Sequence, residues 1–397
     1  MNLKKQFFCL YTTSLFSGLR ITDAVWVALL AARGFSLWEI GLAEGIFHGV
    51  SLAFEVPSGM AADLLGRKKT LLLGSVFVVA CNLLMAFAPN LLVVCLAMAL
   101  NALASTMFSG TDAALSYDSL KQCGQEQNYL QISANRSLLQ MLAGAIGSLA
   151  STLHRLLHYT GFYLLSAAFE AVSGLAALFL TEPVVTQAQA DRRNQRLCTL
   201  PARFAQLVRD SLAALRSSSL AVCLIAADAV ISVPSYLSKM FLQQRLVTLG
   251  WDTAWLFLPL LCSGLAAALG TEAARRVHPH SLRTFYAACA LGCGIGALLV
   301  GLAPAAGAIA GAMLMQGILS IWLLHAEQRL NDTIPSDQRA TLISVDSMAY
   351  SLLMIPASPL VGAVGDLFGQ AGAGLALLGL LVLLSGPAVL LFRKRSA

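Results

Sequence analysis

Apolar residues in this chain come in long runs, and polar residues are confined to brief interruptions between them. Twelve such runs can be read, at roughly 7–32, 38–60, 70–88, 91–116, 130–152, 161–180, 219–243, 253–272, 284–303, 306–325, 341–363 and 372–392. Each approaches the ~20 residues that a helix needs to cross the hydrocarbon of a bilayer. The predicted architecture is therefore all-α and polytopic, with twelve transmembrane helices. Most connections are very short, such as "APN" at 88–90 and "AP" at 303–304. One exception divides the chain. Residues 181–218, "TEPVVTQAQADRRNQRLCTLPARFAQLVRDSLAALRSS", are polar and basic, with six runs before them and six after. The later part, Ala202 to Arg216, has apolar positions at helical spacing and is able to lie on a membrane surface. The expected organisation is a six-helix bundle over 1–180, a linker over 181–218 and a second six-helix bundle over 219–397. A faint internal echo supports the halves: "NRSLLQMLAGAIGSLA" (135–150) resembles "VDSMAYSLLMIPASPLVG" (345–362), and each follows a polar loop.

Composition excludes an ordinary soluble protein. Apolar residues make up 57% of 397 and charged residues 12%, against globular values of roughly 45–50% and 25%; mean hydropathy is +0.73. The net charge of +6 does not point to a nucleic acid, because of where the cations lie. Lys4, Lys5, Arg67 to Lys69, Lys121, the six arginines from Arg192 to Arg216, Arg275, Arg276, Arg283, Arg329, Arg339 and the tail Arg393-Lys394-Arg395 share one side, 20 of the 26. Arg33, Arg155, Lys239 and Arg245 fall on the other side. Cytoplasmic loops collect Lys and Arg, so both termini and the linker are expected in the cytoplasm. The nine cysteines form no C-x-x-C pair and no metal-ligand spacing, and most lie in apolar runs as small hydrophobes. The first run starts close to Met1 but is too long for a signal-peptide core and is expected to be retained.

Polar residues inside the runs align. In the second run Glu44, His48, Ser51, Glu55 and Ser58 are spaced 4, 3, 4, 3; in the fourth Asn101, Ser105, Ser109, Asp112 and Ser116 are spaced 4, 4, 3, 4. Asp228, Ser232, Ser235 and Lys239 repeat the pattern in the seventh. The first run offers Thr13, Ser17, Arg20 and Asp23, and the eleventh Ser344, Ser347, Ser351 and Ser358. Helical periodicity puts each set on one line. Small polar residues also let helices pack closely and bond to each other, and that reading suffices for the serines. Carboxylates in hydrocarbon are costly and functional by default, so Asp23, Asp112, Glu55 and Asp228 are candidates for a polar passage and for proton coupling. Arg20 and Asp23, three residues apart, either pair with each other or leave Arg20 to bind an anion. His48 and His325 are either proton shuttles or hydrogen-bonded structural groups. Arg136, near a run end, is expected to snorkel.

Between the second and third runs lies "FEVPSGMAADLLGRKK" (54–69). Gly59, Asp63, Gly66, Arg67 and Lys68 match G-x-x-x-D-x-x-G-R-[RK], the signature loop of the major facilitator superfamily. The lead-in "EVPSG", "SGTDAALSYDSL" (109–120) and "IPSDQRATLISVDS" (334–347) resemble its drug-efflux-like branch. The turn in the second half, "GTEAARRVHPHSLR" (270–283), keeps the cations without the D-x-x-G-R core. The resemblance implies a cytoplasmic latch. Its glycines allow a tight turn, Asp63 meets the start of the eleventh helix near Arg339 to Thr341, and Arg67 pairs with Asp118.

What the resemblance implies is a secondary transporter working by alternating access in the cell (plasma or inner) membrane. Proton-coupled efflux of a small, largely apolar molecule is the leading expectation, and proton-coupled uptake of a polar metabolite the alternative. A non-transporting sensor or scaffold is a third reading, against which the intact loop argues. No enzyme is expected, since the chain has no phosphate loop, nucleophile elbow or metal-spaced set. The expected partners are the lipid bilayer, a small-molecule substrate and protons, with a proton gradient in place of any cofactor. No nucleic acid is expected, and the chain is expected to be a monomer.

Overall fold

The computed structural model describes residues 1–183, 219–333 and 339–391. The amphipathic segment expected at 202–216, the arginines of the linker and the basic tail lie outside these residues. The described chain is helical throughout, with no strand among the described residues.

Helices α1 (Leu3–Gly18), α2 (Trp26–Ala32), α3 (Leu37–Leu65), α4 (Arg67–Ala86), α5 (Leu91–Phe108), α6 (Thr111–Lys121), α7 (Tyr129–Ser148) and α8 (His154–Leu178) precede the linker. After it come α9 (Ser219–Thr248), α10 (Phe257–Ala274), α11 (Leu282–Leu302), α12 (Ala305–Thr333), α13 (Arg339–Leu367) and α14 (Ala371–Leu391). Local chemistry sets the starts. Asn90, in the "APN" connection, is extended and its Oδ1 accepts from Val93 N at 3.2 Å, which caps α5.

Two apolar runs are broken where hydropathy gives no sign. The first divides into α1 and α2 around a turn at 19–25, so Arg20 and Asp23 stand in that turn and not inside a span. The fourth divides at Ser109–Gly110, where Gly110 adopts φ 68° and opens α6. Among the described residues, nine helical stretches are long and apolar enough to cross a membrane, not twelve. α1 and α2 are individually short, and α3 carries Glu39, Glu44 and Glu55. One of the nine, Glu126–Leu178, holds two helices, α7 and α8, divided by the 3-10 turn Leu149–Leu153 and by His158 at φ 51°.

The chain forms two compact units. One holds Met1–Asp23 and the described residues from Ile46 to 183; the other holds Ala24–Gly45 and the described residues from 219 to 391. In the first, α4 packs on α5 and α8, and α1 on α7 and α8. Phe7, Leu10, Leu71, Leu115, Leu120 and Leu180 make a buried cluster there. In the second, α11 packs on α12 and α14, α10 on α12, and α9 on α12, α13 and α14. Its core gathers Ile231, Tyr286, Cys289, Cys293 and Val382 around Trp322, which is wholly buried. Helices meet backbone to backbone: a Cβ added to Gly372 would lie 2.0 Å from the Gly301 carbonyl oxygen. Large apolar side chains cover the outside instead, among them Leu92, Leu130, Met141, Leu156, Leu302 and Leu384. A water-soluble monomer does not expose so much apolar surface. These spans and this surface make a multi-pass membrane protein.

Candidate functional site

The loop after α3 is built from its glycine outward. Gly66 sits at φ 92°, a conformation costly for any residue with a Cβ, and forms the N-cap of α4. A Cβ there would also come within 3.1–3.2 Å of the Glu182 carboxyl group. That carboxylate accepts hydrogen bonds from Arg67 N at 2.8 Å and Lys68 N at 2.7 Å, so it neutralises two orphan donors at the positive end of α4. The Arg67 guanidinium meanwhile pairs with Asp118 of α6, as expected. Gln6 positions Glu182: its amide donates to Ser119 Oγ and to the Thr181 carbonyl, each at 3.0 Å, and its Oε1 accepts from Thr181 N at 2.8 Å. Gly59 has nothing within 4 Å of a would-be Cβ. The Asp63 side chain and those of Arg339 to Thr341 lie outside the described residues, and with them the contact expected between them. Sequence reasoning missed Glu182 and Gln6. The available signal was an acid, in "TEP", immediately after the sixth run.

Asp112 occupies the first turn of α6, immediately after the break at Gly110. Its carboxylate pairs with Arg136 of α7. Arg136 is buried and turns into its unit rather than snorkelling. It donates from Nε to Ser14 Oγ at 3.0 Å and from Nη1 to Ser116 Oγ at 2.7 Å, and Ser116 Oγ donates to the Asp112 carbonyl at 2.9 Å. Two predicted stripe residues, Asp112 and Ser116, are thus joined by a cation from another helix. Glu55 of α3 is half-buried within hydrogen-bonding reach of Ser109. Glu170 of α8, absent from every predicted stripe, is 5% exposed between Ser75 and Ser173, and its Oε1 has no hydrogen-bond partner. Arg20 and Asp23 form a loose, water-exposed pair at 3.9 Å.

The second unit holds its own acidic cluster. Asp228 of α9 is buried and takes one bond on each oxygen: Trp322 Nε1 donates at 2.9 Å and Ser232 Oγ at 3.2 Å. Asp346 of α13 lies in the electrostatic field of Asp228, and Tyr350 in those of Asp228 and Glu44. Tyr236 OH donates to Glu44 Oε1 at 2.7 Å, its ring stands edge-on to Tyr350, and the Lys239 ammonium sits 5.8 Å above it. Asp228, Ser232 and Lys239 were legible in the stripe of the seventh run. Asp346, Trp322 and the two tyrosines were not, although Asp346 stands next to Ser347 of the eleventh-run stripe. No group of His, Cys, Asp and Glu able to hold a metal occurs among the described residues. What the two clusters offer is hydrogen bonding and charge among helices that are otherwise apolar.

Comparison with known proteins agrees in kind. A family model described as Major Facilitator Superfamily matches residues 7–345. An uncharacterized MFS-type transporter, YxaM of Bacillus subtilis (strain 168), is 26% identical over 189 residues, 47% of this chain and 46% of that protein. The match thus spans about half the length of this curated relative. Among solved structures, the nucleoside transporter NupG superposes with TM-score 0.71 at 14% identity, covering 99% of this chain and 100% of that one. A POT family transporter in complex with a thioalcohol-conjugated peptide gives TM-score 0.67 at 13% identity, covering 98% and 95%. At these identities the likeness is one of fold.

Proposed function

The chain belongs to the Major Facilitator Superfamily, a family of transporters and not of enzymes, and on that premise we propose that it moves a small molecule across the cell membrane by alternating access, driven by protons. The observation that carries this reading is a pair of acids, the half-buried Asp112 and the buried Asp228, each held by specific donors in its own unit. Protonating such a carboxylate cancels its charge and weakens its hold on those donors, which changes the relative stability of two packings. Asp112 and Asp228 lead as coupling residues, with Glu55, Asp23 and Arg20 behind them.

Gly59, Asp63, Gly66, Arg67, Lys68 and Asp118 serve in this proposal as the cytoplasmic latch. Two six-helix bundles, 1–180 and 219–397, flank the cytoplasmic linker 181–218 and work as a monomer with both termini in the cytoplasm. The efflux-like motifs favour export of a largely apolar molecule. A second reading, proton-coupled uptake of a polar metabolite, draws on the Glu44–Tyr236–Tyr350–Asp228 cluster and on structural relatives described as nucleoside and peptide transporters.

Substrate-dependent proton movement in proteoliposomes, measured with the gradient imposed in each direction, decides between the two. Asp112→Asn and Asp228→Asn are expected to uncouple it. Full coupling in both variants would remove these acids from the mechanism.

A further inference from the structure

Arg245, near the end of α9, is a buried cation with no part in the clusters described above. Only 8% of it is exposed, and its Nε has no hydrogen-bond partner. It enters no ion pair among the described residues. A guanidinium cannot shed its charge to escape burial, and a buried charge without compensation is strongly destabilising. The acids nearest along the chain are engaged elsewhere. Asp366 accepts from Leu37 N at 3.0 Å and from Trp38 N at 2.8 Å, and Asp252 Oδ1 accepts from Ala254 N at 2.9 Å. Arginines close to a helix end commonly extend their stems to reach water, and the burial of this one shows that it does not.

What Arg245 faces is a second source of positive charge. A Cβ added to Gly372 would lie 3.0 Å from Arg245 Nε, which places the guanidinium against the first turn of α14. α14 has 21 residues, and the start of such a helix carries a partial positive charge of roughly half a unit. Ala371 and Gly372 are both buried, and no hydrogen bond reaches the N–H of either among the described residues. The next N–H, that of Ala373, bonds to the Gln370 carbonyl at 3.0 Å. Two groups of like sign, both with donors left over, require negative charge between them. Nε and two backbone N–H groups are separate donors, which suits an anion with several oxygens. Guanidinium groups and helix starts both match phosphate in this way.

We infer that Arg245 and the first turn of α14 form a binding site for a phosphate-type oxyanion, supplied by inorganic phosphate in solution or by the headgroup of a phospholipid. Bound there, the anion ties α9 to α14 and compensates the buried guanidinium. The site lies wholly within the second unit and uses none of the acids proposed for proton coupling, so it is independent of the transport reading.

The full chain, stripped of lipid in a non-ionic detergent and dialysed to equilibrium against radiolabelled inorganic phosphate, provides the first arm of the test. The natural chain is expected to bind phosphate. Arg245→Met, which keeps the apolar stem and removes the donors, is expected to lose roughly tenfold or more in affinity. Arg245→Lys keeps the charge without the fork, is expected to fall between the two, and serves where Arg245→Met does not fold. In the second arm short-chain phosphatidylglycerol is titrated into the same protein without phosphate, and thermal unfolding is followed. A rise in unfolding temperature that is smaller in both variants, with inorganic phosphate silent, identifies the headgroup as the source. If neither probe acts on the natural chain, or if the variants respond as strongly as it does, the site is overturned.

Discussion

Arg136 shows what a single buried charge does in this molecule. It is held by Asp112, Ser14 and Ser116 at once, and losing it leaves a carboxylate without its cation inside a helical unit. Breaking a fully buried pair from one side costs about 3–5 kcal/mol, and the partial exposure of the Asp112 side chain puts this pair below that range. Arg136→Ala is therefore expected to lower the thermal unfolding temperature in detergent strongly, and Asp112→Ala/Arg136→Ala together by less than the sum of the two single changes. An additive loss would show the pair to be energetically independent. Trp322→Phe keeps the buried ring and removes the donor to Asp228, for about 1–3 kcal/mol. The same assay reads it. Both acids were legible in the sequence because helical spacing placed them on polar lines. Their partners were not, since Arg136 is 24 residues from Asp112 and Trp322 is 94 from Asp228. Local periodicity carries no information about which helix comes to lie alongside.

Among the elements, the start of α4 is the most tightly specified. Gly66→Ala places a Cβ in a left-handed backbone and against the Glu182 carboxyl group. The backbone conformation alone, φ 92° with ψ 150°, costs about 1–3 kcal/mol. Glu182→Gln leaves the turn intact and removes only charge from the helix end, for about 0.3–1 kcal/mol. Thermal unfolding of the two variants should rank them in that order, and a larger loss in Glu182→Gln would show that the cap outweighs the turn. The helices themselves were largely visible as apolar runs, because crossing hydrocarbon demands length. Their breaks were not. Gly110 and the turn after Gly18 fall inside runs that are apolar on average, and a hydropathy pattern cannot register a change of φ. Asp63 was expected to cap a distant helix. That contact lies outside the described residues; the start of α4 is capped by Glu182, a residue the polar linker had hidden.

At the scale of the whole molecule, the inside-out distribution of side chains governs behaviour. With Leu92 77% and Leu130 80% exposed, the chain is expected to stay in the membrane pellet through alkaline carbonate extraction. Release into the soluble fraction would contradict a multi-pass protein. If the basic residues set topology as proposed, a reporter fused after Ala397 is active only in a form that works in cytoplasm, and activity of a form requiring export would reverse the orientation. Fold class was the most legible property of all, because composition and run length alone exclude a water-filled surround.

Gln6 has a consequence for how such a molecule is made. Its amide grips a residue 175 positions further along, and the carboxylate that quiets the start of α4 comes one residue after that. As the chain leaves the ribosome, the first helix and the turn before the third must wait, half-bonded, until nearly half the protein has been threaded into the bilayer. The closing stitch of the early domain is the last piece of it to be born, so a nascent chain halted at residue 180 would hold all its helices and still lack the fastening that draws them together.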